Sequence, residues 1–84
     1  MVIREVTVQL PEGLHMKAAG DFSQLANKFK SSIAIEANGR CADGKSLLGL
    51  LSLGTVSGTR LAVCAEGPDE ETAVQSLTEM AISE

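Results

Sequence analysis

The dipeptide Asn38-Gly39 constrains the fold of this chain more than any other stretch. In the segment before it, residues 33–37, the most apolar side chains occupy every second position, which is the period of a strand with one buried face. Asn-Gly is the strongest short signal for a two-residue hairpin turn, because both central positions need a positive φ. We therefore predict that residues 33–37 and the short segment 40–42 form two neighbouring antiparallel strands.

Other elements follow from similar patterns. Alternation predicts a strand around Val6, Val8 and Leu10 and another from Leu61 to Ala65. Apolar residues spaced by three and four predict two helices, and the last of them opens at Pro68-Asp69. Their apolar stripes are Ala19, Phe22, Ala26 and Phe29 in the first helix, and Ala73, Val74, Leu77, Met80 and Ala81 in the last. Between the hairpin and the last strand, Ser46 suits an N-cap and Gly54 a C-terminal cap of a two-turn helix.

The order of elements is thus β-α-β-β-α-β-α. Each strand has one apolar and one mixed face, which indicates an antiparallel sheet covered by helices on one side only. The predicted fold class is α+β, an open-faced two-layer sandwich, and a chain of 84 residues forms a single domain over residues 1–84.

Composition narrows the possible functions. Aromatic residues make up 2 % of the chain and the formal net charge is −4, which argues against nucleic acid and anionic membranes as partners. Arg4 and Glu5 interrupt the apolar start, so we expect no signal peptide, and no run reaches membrane-spanning length. Cys41 and Cys64 have no metal-ligand spacing, so we expect no metal site. We expect both to be reduced thiols in a cytoplasmic protein, and a disulfide between them is the alternative.

The single histidine, His15, falls where a loop should become the first helix. Backbone N–H groups at a helix start lack partners and favour an anion, and the same end disfavours imidazolium. A neutral ring is then available as a nucleophile, and Lys17 adds a mobile cation nearby. This combination suits a phosphoryl carrier. The alternative is that His15 is only a surface cap residue.

A second phosphate motif competes with this interpretation. Residues 39–46 satisfy the pattern G-x-x-x-x-G-K-[ST] of nucleotide hydrolases. However, Asn38-Gly39 requires a tight hairpin, so residues 40–42 belong to a strand rather than to an open loop around phosphates. The motif also needs a parallel β-α-β sheet, which this order of elements does not provide. We therefore reject a nucleotide site.

The short helix carries more leucines than one side of two turns can bury. Leu50 and Leu53 share a face, while Leu47 and Leu51 share another. Leu47, Leu48 and Leu51 could simply belong to the core, or they could form an exposed docking patch. The sequence leaves both interpretations open.

The whole chain resembles the HPr family, the histidine-containing phosphocarriers of the phosphoenolpyruvate-dependent sugar phosphotransferase system. The matching stretches are Gly13-Leu14-His15, Asn38-Gly39, Lys45-Ser46-Leu47, Leu53-Gly54, Gly58-Thr59 and Ala65-Glu66-Gly67. The chain departs from the usual signature His-x-Arg-Pro-Ala, since it has Lys17 and Ala18 in place of the arginine and proline, and it adds a carboxylate at Glu12.

The resemblance implies a sheet of order 1-4-2-3 with three helices on one face. It implies a cytoplasmic monomer, without cofactor or turnover of its own, that takes phosphate on Nδ1 of His15 from phospho-enzyme I and gives it to a IIA domain. Lys17 would support the phosphate charge, and Ser46 matches the position that HPr kinase/phosphorylase modifies in many relatives. The implied partner surface consists of Met16, Gly20, Leu47, Leu48 and Leu51. A regulatory protein of the same fold, with little role in sugar transport, is the alternative function.

Overall fold

The computed structural model describes residues 1–14 and 16–82. His15 lies outside these described residues, as do residues 83 and 84. The elements, in chain order, are β1 (Val2–Thr7), α1 (Met16–Ala26), β2 (Ser32–Ala37), β3 (Arg40–Asp43), α2 (Leu47–Ser52), β4 (Arg60–Glu66) and α3 (Glu70–Ile82). This order confirms the predicted β-α-β-β-α-β-α succession.

The four strands form one antiparallel sheet in the order β1-β4-β2-β3. The register places Val6 opposite Leu61 and Ile35 opposite Val63, so the apolar sides of neighbouring strands share one face. Both the α+β class and the 1-4-2-3 order that the resemblance implied are confirmed.

The core lies between this face and the helices. Buried and more exposed residues alternate along β2 and β4 as one-sided burial requires. Phe22 of α1, Leu50 of α2 and Leu77 of α3 are fully buried in the same cluster as the inward strand residues. Burying each of these large side chains contributes about 1.5–3 kcal/mol, so the three helices are held mainly by this one core.

The hairpin and the caps were predicted correctly. Asn38 and Gly39 have φ values of 54° and 75°, and Ala37 pairs with Arg40 across the turn. Ser46 is the N-cap of α2, and Gly54, with φ of 65°, follows the C-cap residue Leu53.

Two boundaries differ from the prediction. The first strand was predicted around Val6 to Leu10, but β1 runs from Val2 to Thr7. Val2, Arg4 and Val6 lie on the same, inward side of this edge strand. Because Arg4 is charged and exposed, the alternation of apolar and polar residues is interrupted there. The regular part of α1 ends at Ala26, and i→i+3 hydrogen bonds then carry the chain as far as Phe29.

Cys41 and Cys64 are free thiols. They lie on β3 and β4, which are separated by β2, and neighbouring strands are roughly 4.8 Å apart. The two residues are therefore too far apart for a disulfide within the chain. Among the described residues, no helix is long and apolar enough to cross a membrane.

Candidate functional site

The structure places the residues on either side of His15. Leu14 is buried, and Met16, which is 61 % exposed, is the first residue of α1. The N–H groups of Met16, Lys17 and Ala18 are in the first turn, where no intrahelical carbonyl is available to them. The prediction that a helix begins here is confirmed, whereas the role of His15 itself stays a prediction.

The chain just before His15 is tied to a distant loop. The Leu14 N–H donates to Thr55 Oγ1 over 3.1 Å, and both residues are buried. Gly13 has φ of 68°, and a Cβ at this position would overlap the carbonyl oxygen of Thr55. Sequence reasoning missed Thr55, because a threonine just after a helix end looks like an ordinary loop residue.

Three side chains close to the histidine in the sequence depart from the signature of the family that the chain resembles. Glu12 and Lys17 are exposed, and Ala18 is half-buried against the core. Within residues 1–14 and 16–82, neither Glu12 nor Lys17 forms an ion pair. Lys17 thus has no ion-pair partner in the described part of the chain, and its role as a mobile cation stays a prediction.

Ser46 is held by hydrogen bonds at the start of α2. Its Oγ accepts from the Gly49 N–H over 3.1 Å, with φ −104° and ψ 117°, as an N-cap requires. On the preceding residue, the Lys45 N–H donates to Asp43 Oδ1 over 2.9 Å, and Lys45 Nζ donates to the Phe29 carbonyl over 2.9 Å. The Lys45 ammonium thus binds the turn that follows α1.

The leucines of α2 divide between core and surface. Leu50 and Leu53 are buried, Leu51 is half-buried, and Leu47 and Leu48 are 38 % and 78 % exposed. The core interpretation is therefore wrong for Leu48, whose side chain lies mostly in solvent.

The other two predicted docking residues are on helix α1. Helix α1 packs against α2, and it carries the exposed Met16 and the half-buried Gly20. A Cβ built on Gly20 would meet no atom within 4 Å. The five predicted docking residues thus lie on two adjacent helices, and their contact with a partner stays a prediction.

The nucleotide motif is not a phosphate loop. Its residues 40–43 form β3, which pairs with β2. The pairing runs from Ala34 opposite Asp43 to Ala37 opposite Arg40. A backbone that is engaged in a sheet ladder cannot wrap its N–H groups around phosphates, so this segment does not form a phosphate-binding loop.

Fold and sequence together define a small α+β domain in which the single histidine directly precedes a helix. Residues 2–82 match the protein family described as "PTS HPr component phosphorylation site". The chain belongs to the HPr family of phosphocarrier proteins.

Individual relatives agree with this assignment. Phosphocarrier protein HPr of Borreliella burgdorferi is 41% identical over 80 residues, which cover 95% of this chain and 93% of that protein. The HPr-like protein Crh of Halalkalibacterium halodurans is 42% identical over 77 residues, covering 92% of each. Phosphocarrier and Crh relatives are thus equally similar to this chain.

Solved structures share the fold. Phosphocarrier protein HPr from Bacillus anthracis superposes with a TM-score of 0.93 at 35% identity, covering 95% of both chains. An HPr from Thermoanaerobacter tengcongensis whose structure is described as a dimer has a TM-score of 0.74 at 38% identity, covering 92% of this chain and 91% of that one. The monomeric state expected for this chain therefore stays a prediction.

Proposed function

We propose that this chain accepts a phosphoryl group on His15 from phospho-enzyme I and passes it to a IIA domain of a sugar permease in the cytoplasm. The observation that carries the proposal is that the single histidine directly precedes Met16, where α1 begins. Amides in the first turn of a helix, together with the helix dipole, favour an anion. A phosphate bound to residue 15 would be adjacent in the chain to such amides.

The chemistry is a relay. A ring nitrogen of His15, Nδ1 by analogy with the family, attacks phosphorus while the bond from phosphorus to the donor breaks. A nucleophile on the IIA domain then takes the phosphoryl group, and the phosphorus–nitrogen bond breaks. The histidine returns to its starting state, so the chain is a covalent carrier without turnover of its own. Lys17, exposed in the first turn, supports the phosphate charge as a point charge.

Docking is proposed to use the exposed apolar side chains of α1 and α2. Met16 and Leu48 are 61 % and 78 % exposed, and Leu47 is 38 % exposed. Side chains of this size in solvent are typical of a surface that a partner desolvates. Gly20 and the half-buried Leu51 would complete this surface, since a partner could approach the open space over Gly20 closely.

Ser46 is the proposed regulatory site, phosphorylated by an HPr kinase/phosphorylase. It is followed directly by Leu47 and Leu48, so a phosphate there would add charge to the edge of the docking surface. The second candidate function is a regulatory protein that acts through its phosphorylation state with little sugar transport. The equal similarity to phosphocarrier and Crh relatives favours keeping this candidate.

Labelled phosphoenolpyruvate with enzyme I tests the first function. We expect an acid-labile, base-stable phosphate on the parent chain and none on folded His15→Ala, because the chain has no second imidazole. Undiminished label on His15→Ala would overturn the proposal. A parent chain that takes no label from enzyme I, but is phosphorylated on Ser46 by the kinase and ATP, would establish the regulatory function instead.

A further inference from the structure

The hydroxyl of Thr55 satisfies a backbone group that would otherwise be buried without a partner. Leu14 is 2 % exposed and Thr55 is 7 % exposed, and the 3.1 Å hydrogen bond from the Leu14 N–H to Thr55 Oγ1 joins residues 41 positions apart. A buried amide without an acceptor is costly, so this bond favours one orientation of the peptide unit between Gly13 and Leu14.

Close backbone packing reinforces the same contact. A Cβ on Gly13 would overlap the Thr55 carbonyl oxygen and approach the Val56 Cα to 2.7 Å. Only a glycine lets the segment before His15 lie this close to residues 55 and 56, and its φ of 68° is one that glycine adopts without strain. The orientation of residues 13 and 14 is thus set by the loop they rest on.

That loop, residues 54–59 between α2 and β4, is itself braced at both ends. At its start, Asn38 Nδ2 donates to the carbonyls of Leu53 over 2.9 Å and Gly54 over 3.3 Å. At its end, the Val8 N–H donates to the Thr59 carbonyl and the Gly58 N–H to the Val8 carbonyl, both over 2.8 Å. Thr55 therefore lies in a loop that hydrogen bonds hold in position at both ends.

We propose that Thr55 is a positioning residue for phosphoryl transfer at His15, acting through its hydrogen bond to the Leu14 amide. The bound N–H belongs to the peptide unit between Gly13 and Leu14, so the hydrogen bond holds the residue that directly precedes His15 in the chain. Thr55 needs no contact with the phosphoryl group. The inference rests on the proposed function of His15 and adds the residue that aligns it.

The first test compares Thr55→Val, which keeps the shape and removes the acceptor, with Thr55→Ser, which keeps the acceptor. Thr78→Val is the matched control, because Thr78 is also buried but lies on α3, where its hydroxyl donates to the Val74 carbonyl. With enzyme I and labelled phosphoenolpyruvate, we expect Thr55→Val to lower kcat about ten- to a hundredfold, as misalignment of a reacting group does, with KM within about twofold. Thr55→Ser should recover most of the rate, and Thr78→Val should match the parent. If Thr55→Val does not fold, Thr55→Ala is the second variant without the hydroxyl.

A small donor separates positioning from docking. An imidazole nitrogen attacks the phosphorus of phosphoramidate, and the phosphorus–nitrogen bond of phosphoramidate breaks. Its nitrogen, already protonated, leaves as ammonia, so no protein surface of a donor is involved. We expect Thr55→Val to be slowed toward phosphoramidate by a similar factor. A Thr55→Val variant as fast as the parent, or a Thr55→Ser variant as slow as Thr55→Val, would overturn the positioning role.

The two proposals fail in different ways. A parent chain that enzyme I does not phosphorylate would overturn the proposed function. The phosphoramidate comparison would still decide the role of Thr55 in that case, since it needs only His15 and the variants.

Discussion

The ammonium group of Lys45 donates a 2.9 Å hydrogen bond to the carbonyl oxygen of Phe29, which joins the residue before α2 to the turn that follows α1. Lys45 is partly buried, and a cation at the C-terminal end of a helix complements its dipole. Lys45 directly precedes Ser46, the N-cap of α2, so this hydrogen bond holds the start of α2 against the turn that follows α1.

The first prediction is that Lys45→Met destabilises the fold. Loss of the hydrogen bond to Phe29 should lower the free energy of unfolding by about 1 kcal/mol. Lys28→Met is the control, because Lys28 is exposed and forms no side-chain hydrogen bond in the described part of the chain. Urea unfolding monitored by circular dichroism measures both variants. Equal stabilities for the two would show that the Lys45 contact contributes nothing.

The second prediction separates the two kinds of leucine in α2. Leu50 is fully buried, so Leu50→Ala should lower the free energy of unfolding by about 2–5 kcal/mol. Leu48 is 78 % exposed, so Leu48→Ala should change stability by less than about 0.5 kcal/mol. With enzyme I, Leu48→Ala should raise KM and leave kcat unchanged, because it removes docking contacts only. An unchanged KM would exclude Leu48 from the docking surface.

The third prediction concerns pH. The Asp69 carboxylate accepts hydrogen bonds from Ser31 Oγ, from the Lys30 N–H over 2.9 Å and from the Ser31 N–H over 3.0 Å. These bonds, that of the Ser31 hydroxyl first, lower the pKa of Asp69 below its ordinary 3.8. Because the pKa of Asp69 is lower in the folded protein, its ionised carboxylate stabilises the fold, and this stabilisation is complete at pH values above the unfolded pKa of 3.8. It is lost as the pH falls from 3.8 through the pKa of Asp69 in the folded protein.

Asp69→Asn should therefore be less stable than the parent at pH 7, and the difference should shrink as pH falls below 3.8. Asp21→Asn removes the same charge from an exposed position on α1 and is the control. Thermal unfolding at a series of pH values measures the effect. A constant difference between Asp69→Asn and the parent at all pH values would contradict the assignment.

An element of the fold is predictable from the sequence when the residues that define it lie close together in the chain. The Asn38-Gly39 turn and the Ser46 cap were predicted because their chemistry lies within three residues of the element they define. The start of β1 was not, since Arg4 interrupts the apolar alternation on an edge strand where one side is open to solvent. The 1-4-2-3 order came from resemblance, because local patterns do not specify which strands become neighbours.

The same distinction applies to the site. The helix start at Met16 was predicted from the periodicity that follows it. The hydrogen bond from Leu14 to Thr55 was not, because it links residues 41 positions apart and depends on how two loops pack. The division of the α2 leucines into buried and exposed also required the tertiary structure, since a two-turn helix can turn more than one face to the core.

The fourth prediction concerns the departures from the family signature. Lys17 is exposed in the first turn of α1, and a lysine offers phosphate a point charge where arginine offers a bidentate fork. Proline is tolerated in the first turn, where its missing N–H costs no helical hydrogen bond. Lys17→Arg combined with Ala18→Pro should therefore speed transfer from enzyme I to His15, measured by rapid quench. Lys28→Arg, which alters a lysine beyond α1, is the matched control and should leave the rate unchanged. No gain in the double variant would show that the arginine fork does not engage the phosphate in this chain.

The last prediction is a switch at Ser46. A phosphate there carries about −1.5 to −2 charges, and an anion at a helix N-terminus is favourable, so the helix should be retained. Ser46→Asp is a partial mimic with a smaller charge, and aspartate is as good an N-cap as serine. We expect it to melt at or above the temperature of the parent.

Its effect on the partner should be unfavourable. Leu47 and Leu48 follow directly and are exposed, so a new charge would lie beside apolar side chains that enzyme I must desolvate. Ser46→Asp should therefore accept phosphate from enzyme I with a higher KM and an unchanged kcat, because the change affects docking and leaves the chemistry of His15 intact.

Ser46→Ala is the control, because it removes the acceptor for the Gly49 N–H without adding charge. It should lose about 1 kcal/mol of stability and keep the KM of the parent. A clearly lower melting temperature for Ser46→Asp would contradict its role as a cap. Equal KM values for Ser46→Asp and Ser46→Ala would show that charge at Ser46 does not control docking.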